Sequence, residues 1–267
     1  MSSLSGKKIL ICRGREQSLE LESVLHAKGA EPVFFAPFTV EIIDSEKEIA
    51  IERELKNITR YDLILFGSPN GVSSFRHYMN RYLISDKVMS KIEVGIVGNK
   101  AAKRYKKLFP KTDIRYKALA INDLLEIVSK SGNDRKLNVL NPTSEQSLKN
   151  IEVELPENIT LIRIPIYKTV ANTEIDESSI AEINKSKFDM VVFSSPSSYD
   201  YFVEQLGKTF LMSGISMAAF GKTTAGHIQK NGFKADVVPV NAETDNLIMA
   251  MESFFDRINT GVTTAGG

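Results

Sequence analysis

What the chain lacks narrows it first. Its 267 residues include no tryptophan, one cysteine and three histidines. A lone Cys12 allows no internal disulfide, which suits a reducing cytoplasm. His26, His77 and His227 are scattered, with no cysteine or carboxylate at metal-ligand spacing, so no metal site is expected. Charge of one sign is also missing: 34 Lys/Arg stand against 33 Asp/Glu, which argues against a dedicated nucleic-acid or membrane-surface protein. No apolar run nears the ~18 residues of a membrane helix. The run after "MSSLSGKK" is too short for the core of a signal peptide. No G-x-G-x-x-G follows a strand-like run. The stretch "FGKTT" (Phe220–Thr224) carries the Gly-Lys-Thr of a phosphate loop, but Ser216 stands where that motif needs its first glycine. A soluble, cytoplasmic protein without a metal site is the expectation.

What the chain has is a repeat. "YDLILFGSPNGVSSF" (Tyr61–Phe75) and "FDMVVFSSPSSYDYF" (Phe188–Phe202) share an aromatic-Asp pair, three apolar residues, Phe and Ser-Pro. "GIVGNKAAKRYKKLF" aligns with "MAAFGKTTAGHIQKNGF" at Gly98 and Gly221, and "REQSLELESVL" with "SEQSLKNIEVEL" at Glu16 and Glu145. "FFAPF" aligns with "IRIPIY" at Pro37 and Pro165. The four matches keep one order at offsets of 123–129 residues, which reads as two copies of one unit.

Each copy alternates strands and helices. Strand-length apolar runs are "KKILIC", "EPVFFAP", "DLILF", "EVGIV", "LNVL", "ITLIRI", "DMVVF" and "ADVVPV". Unbroken apolar runs predict strands buried on both faces, as in parallel sheets. The clearest helix is "NLIMAMESFFDRI", with Leu247, Met251, Phe254 and Ile258 on one face. The predicted class is α/β: two doubly wound parallel-sheet domains of similar size from an internal duplication.

The repeat alone permits two domain cuts. One falls near residue 133. The other treats "APFTVEI" and "IPIYKTV" as paired linkers, giving a first domain of residues 1–37 plus 169–260 with a second, 38–168, inserted into it. A loose polar tail, 261–267, closes the chain in either case.

Ligands of open α/β sheets bind beyond the carboxyl ends of the strands, beside helix N-termini. Several predicted strands end there in small hydroxyl and glycine residues: "CRGREQ", "FGSPNG", "VGNKA", "NPTSEQ", "FSSPSS" and "FGKTT". Ser68, Ser195, Ser197, Thr223 and Thr224 are placed to present hydroxyls and free N–H groups to an anion. Plain N-capping explains any one of them alone; their recurrence at the same end of both copies points to a large, multiply anionic ligand. Cys12 ends a strand without a nucleophile signature and reads as core. The basic run "KAAKRYKKLFPK" fits a solvated helix face or a surface that attracts an anionic substrate. Tyr167, in "IPIYKT", falls in a connection rather than a regular element. Its phenol is free there to project toward a ligand as a proton donor, or else packs against the hinge.

These motifs, from "ILICRGREQSLELESVLHAKGAEPVFFAPF" through "FGSPNGV", "VGNKAA", "IPIYKT" and "FSSPSS" to "AFGKTTAGHIQKNGF", resemble the uroporphyrinogen-III synthase family over nearly the whole chain. The resemblance implies the inserted-domain cut, with the active site in a cleft between two lobes. It also implies a cofactor-free reaction: hydroxymethylbilane, a linear tetrapyrrole with eight carboxylates, is closed to uroporphyrinogen III with loss of water and inversion of ring D. Free bilane closes spontaneously to the uninverted isomer I. By position, Tyr167 matches the family's linker tyrosine, the favoured aid to hydroxyl departure. Arg13, Ser68, Gly98, Asn99, Ser195, Ser197, Lys222, Thr223 and Thr224 match carboxylate-binding positions. Two departures stand out. "NPTSEQSLK" replaces a Gly- and Arg-rich loop, leaving Lys149 as the nearest cation, with Thr143 and Ser144 as substitutes. Gly67 stands where a hydroxyl residue is common. The implied protein is a monomer with a small-molecule substrate, touching the bilane-producing enzyme at most transiently. The rival readings are a two-lobed anion-binding module without catalysis and, less favoured, a flavin protein.

Overall fold

The computed structural model describes residues 2–43, 47–131, 135–150 and 154–260; the tail at 261–267 lies outside them. In chain order the first half contains β1 (Lys8–Cys12), α1 (Leu19–Ala27), β2 (Glu31–Phe34), β3 (Phe38–Ile42), α2 (Lys47–Lys56), β4 (Leu63–Phe66), α3 (Pro69–Arg81), β5 (Glu93–Val97), α4 (Asn99–Leu108), β6 (Tyr116–Ala118) and α5 (Ile121–Ser131). The second half contains β7 (Leu137–Ser144), α6 (Glu145–Asn150), β8 (Ile159–Ala171), α7 (Glu177–Lys185), β9 (Met190–Phe193), α8 (Pro196–Leu206), α9 (Lys208–Leu211), β10 (Ser216–Ala219), α10 (Lys222–Lys230) and α11 (Thr244–Asn259).

The chain forms two compact units, Met1–Thr39 with Ala171–Gly267, and Val40–Val170. The first unit holds a parallel sheet in the order β10-β9-β1-β2. The second holds six strands in the order β3-β8-β7-β4-β5-β6, parallel from β8 to β6. The order exposes the repeat: β10, β9, β1 and β2 correspond to β5, β4, β7 and β8. Each sheet therefore mixes strands from both sequence copies, because β1, with β2 beside it, pairs with β9 rather than with β4. The strands that carry the chain between units, β3 and β8, lie side by side. They run in opposite directions: the Asn172 N–H donates to the Pro37 carbonyl and the Ile43 N–H to the Ile166 carbonyl.

Alternation along each buried strand feeds two cores. Ile9, Ile11, Met190 and Val192 face a core closed by α1 and α11, through Leu21, Leu25, Leu247 and Met251. Leu10, Cys12, Val191 and Phe193 face the other side, closed by Tyr199 and Phe202 of α8 and Ile228 of α10. In the second unit Ile64 and Phe66 pack under α2, α3 and α4, while Leu63 and Leu65 pack under α5. Such two-sided burial is why these strands carry no polar alternation.

Several expectations need correction. "ADVVPV" forms only a single bridge, Ala218 to Val237, beside β10. The buried face of α11 is Leu247, Ile248, Met251 and Phe255, with Ile258 exposed. "NPTS" continues β7 instead of turning. "IPIYKT" lies inside β8, so Tyr167 belongs to a regular strand.

Candidate functional site

The carboxyl ends of the strands begin helices in both units. Ser68 caps α3 and Ser195 caps α8, each followed by proline at the first helical position, where a missing N–H costs nothing. Ser68 Oγ accepts the Gly71 N–H at 3.0 Å. Ser195 Oγ accepts the Ser198 N–H at 3.1 Å, and Ser198 Oγ accepts the Ser195 N–H at 3.0 Å. Gly98 starts α4 with φ 79°, a left-handed value that excludes most side chains. Asn99 is the first residue of α4. Gly221 starts α10 with no side-chain cap, so the opening turn Lys222-Thr223-Thr224 offers its amides outward.

In the second unit three predicted residues meet. Tyr167 is buried on β8, yet its hydroxyl lies 2.8 Å from Ser68 Oγ. Ser144 stands directly across from Tyr167 in the pairing of β7 with β8. Burial pushes the Tyr167 phenol above its ordinary pKa, and the neighbouring Ser68 and Ser144 hydroxyls pull part of the way back. The phenol therefore keeps its proton at neutral pH. Ser144 Oγ donates to Ser147 Oγ at 2.8 Å and accepts the Ser147 N–H at 2.9 Å.

Reading the sequence missed the groups that hold this cluster. Gly71, the counterpart of Ser198, leaves the phenol room: a Cβ there would stand 3.3 Å from the Pro142 carbonyl oxygen, 3.4 Å from Ser68 Oγ and 3.9 Å from the Tyr167 ring. The side-chain amide of buried Asn141 donates to the Leu65 carbonyl at 2.8 Å, extending the join between β7 and β4 one step beyond their paired residues. Arg163, paired across from Asn141 on β8, donates to Asn141 Oδ1 at 3.4 Å and to the Ser147 carbonyl at 2.9 Å. Burial lowers its pKa. Arg163, not exposed Lys149, is thus the cation bonded to the "NPTSEQS" segment where β7 passes into α6. The signal available was its fixed offset from Tyr167 in one strand.

Gly98 and Asn99 sit at the same sheet end as Ser68, since β4 and β5 are paired through Phe66 and Ile96. In the first unit, Arg13 after β1, Ser195 and Ser197 after β9, and Lys222 and Thr223 after β10 occupy the ends of three adjacent strands. Arg13 Nε donates to Gln17 Oε1 at 3.2 Å. Lys222 and Thr223 are exposed, whereas Thr224 is buried and cannot present its hydroxyl outward. Cys12 is fully buried and its thiol pKa is raised by burial, so it is an inert core residue. Among the described residues no three His, Cys, Asp or Glu side chains gather as metal ligands, and no helix is long and apolar enough to cross a membrane.

Comparison with known proteins gives the family and the fold. A family model described as uroporphyrinogen-III synthase HemD matches residues 19–249. A porphyrin biosynthesis protein HemD of Ruminiclostridium josui is 25% identical over 246 residues, covering 92% of this chain and 48% of that protein. This chain thus spans about half the length of that curated relative. A uroporphyrinogen-III synthase of Chlorobaculum parvum is 25% identical over 242 residues, covering 87% of this chain and 93% of its own. In fold, the chain is similar to a crystallised mutant uroporphyrinogen III synthase of Thermus thermophilus, at a TM-score of 0.61 and 15% identity, with 96% of this chain and 100% of that one covered. It is likewise similar to the uroporphyrinogen-III synthetase of Helicobacter pylori, at 0.59 and 16%, with 92% and 99% covered. The shared fold, the split repeat and a match across residues 19–249 lead to one conclusion: the chain belongs to the uroporphyrinogen-III synthase family.

Proposed function

We infer that the chain closes hydroxymethylbilane to uroporphyrinogen III, with inversion of ring D and loss of one water. The observation that carries this reading is the buried Tyr167 phenol held by Ser68, with Ser144 across from it, at the carboxyl end of a sheet, in a chain of this family. Tyr167 gives its proton to the departing hydroxyl of ring A as the pyrrole nitrogen lone pair expels it, leaving an electrophilic azafulvene and one water. The substituted carbon of ring D attacks the azafulvene carbon, and the spirocyclic product fragments and recloses. The proton released when the last pyrrole regains aromaticity restores the balance at the phenol.

Because free bilane closes unaided to isomer I, the chain must chiefly impose a conformation, so positioning supplies most of its effect. The amides of the α4 start at Asn99 and of the Gly221–Thr223 helix start, with Ser197, Lys222 and Arg13, bind substrate carboxylates, while Gly98, whose own N–H donates to the Ala118 carbonyl, shapes the turn. Ser195 shapes the start of α8. Ser68 and Ser144 serve the phenol. The substrate is a small tetrapyrrole, no cofactor takes part, and the protein acts as a cytoplasmic monomer that meets the bilane-producing enzyme at most transiently. The test is the isomer of porphyrin recovered when the protein is supplied with fresh bilane; only isomer I, at the unassisted rate, would falsify the reading.

A further inference from the structure

We propose that the solvent face of α4 is an electrostatic guide that draws the polyanionic substrate toward the Gly98–Asn99 helix start. This rests on the synthase reading for the identity of the anion.

Helix α4, "NKAAKRYKKL", carries five cations and no acid. Ala101, Ala102 and Tyr105 face the core, while Lys103, Arg104, Lys106 and Lys107 are exposed. Lys103, Arg104 and Lys107 fall at i, i+1 and i+4, so they form one stripe. Among the described residues none of these four has a carboxylate within ion-pair reach. Their neighbours differ: Arg76 is paired with Asp86, and Arg115 lies 3.8 Å from Glu93. Like charges at this spacing repel. Lys106 and Lys107 gain from the helix carboxyl end, but Lys103 and Arg104, in mid-helix, do not. The stripe therefore gains nothing from ion pairing within the fold.

The repeat supplies an internal control. The counterpart helix α10, "KTTAGHIQK", has two lysines, and its His227 is bonded to Asp200 at 2.6 Å. The stripe is thus a property of one copy. The units differ in the same sense. Residues 40–170 contain 22 Lys/Arg against 17 Asp/Glu, and the remainder 12 against 16, giving net charges of +5 and −4. At a rise of ~1.5 Å per residue, the stripe lies roughly 6–12 Å along the axis from Asn99. That is about one screening length at 0.1 M salt, close enough for its field to act at the helix start.

The experiment compares the native protein with a Lys103→Gln/Arg104→Gln/Lys107→Gln variant, reading kcat and kcat/KM for isomer III formation between about 20 mM and 500 mM salt, where the screening length falls from about 20 Å to a few ångströms. A control, Lys208→Gln/Lys230→Gln/Lys234→Gln, makes the same charge change on exposed lysines of the other unit. The native kcat/KM should fall about tenfold across the range. The α4 variant should start several-fold lower, respond weakly to salt and converge with the native protein at high salt. Its kcat should be unchanged and its melting temperature no lower, because repulsion has been relieved. The control should track the native protein. Native-like kcat/KM in the α4 variant at low salt, or an equal loss in the control, overturns the guide while leaving the synthase reading intact. Absence of isomer III from every protein overturns both.

Discussion

The Tyr167 hydroxyl lies 2.8 Å from Ser68 Oγ although 99 residues separate the two in sequence. One oxygen thus caps a helix and holds a phenol. Ser68 Oγ accepts the Gly71 N–H while bonding Tyr167, so the start of α3 and the position of the phenol are fixed by the same atom.

Tyr167→Phe removes the hydroxyl and leaves the ring in its core. General acid catalysis commonly supplies about 10²–10⁴ in rate. Unassisted bilane already loses its hydroxyl readily, so the expected loss in kcat is near or below the low end, about tenfold. Isomer III should still dominate the product, because ring inversion comes from positioning. Steady-state rates with isomer separation check both points; a switch to isomer I would make the tyrosine a director of ring choice instead.

Ser68→Ala and Ser195→Ala form a matched pair, since the two serines hold equivalent places in the repeat. Each loses an N-cap and should destabilise its unit by about 1 kcal/mol. Only Ser68→Ala should also lower kcat, and its effect should be non-additive with Tyr167→Phe. Ser68→Thr, which keeps the hydroxyl, should recover most of the rate. Denaturant melts and a double-mutant cycle separate the outcomes; purely additive losses would uncouple Ser68 from the phenol.

Gly71→Ala puts a methyl group 3.3 Å from the Pro142 carbonyl and 3.4 Å from Ser68 Oγ. Both neighbours are backbone or short side chain and yield little. The expected outcome is a destabilisation of about 1–3 kcal/mol together with a lower kcat. The counterpart position already holds Ser198, whose hydroxyl completes a capping box. Ser198→Ala should therefore lose only a fraction of the cap and leave kcat unchanged.

The raised phenol pKa also fixes a pH dependence. A group whose folded pKa exceeds its unfolded value contributes stability that is complete below the unfolded pKa and lost as pH climbs through the folded one. For Tyr167 that window opens near pH 10, the ordinary tyrosine value, and extends upward. Stability of the native protein should fall more steeply above pH 10 than that of Tyr167→Phe. Ultraviolet titration of tyrosinate alongside thermal melts tests this, and identical alkaline profiles would contradict it.

The sheets were legible in the sequence because strands buried on both faces are written as unbroken apolar runs, such as "LILF" and "MVVF". The helix starts were legible because Ser-Pro and Gly-Asn are local signals. Tyr167 was harder. Pro165 and Pro142 read as loop markers, yet both lie in strands, where β7 and β8 shift register between Thr143 and Ser144, so the missing N–H of proline falls beside an irregular rung. That irregular rung is also what sets Ser144 opposite Tyr167. The partnership of Ser68, Ser144 and Tyr167 depends on β4, β7 and β8 being neighbours, which no local pattern encodes. Gly71 gives no local sign of its role, which is that its absent side chain makes space for a ring. On α11 the slip from Phe254 to Phe255 as the buried aromatic is a one-residue error in helical phase.

The most direct measurement supplies the protein with hydroxymethylbilane generated in situ, oxidises the product and separates porphyrin isomers I and III. Predominant isomer III, at a rate above the blank and reduced in Tyr167→Phe, is the predicted result. Isomer I at the blank's rate would contradict the account.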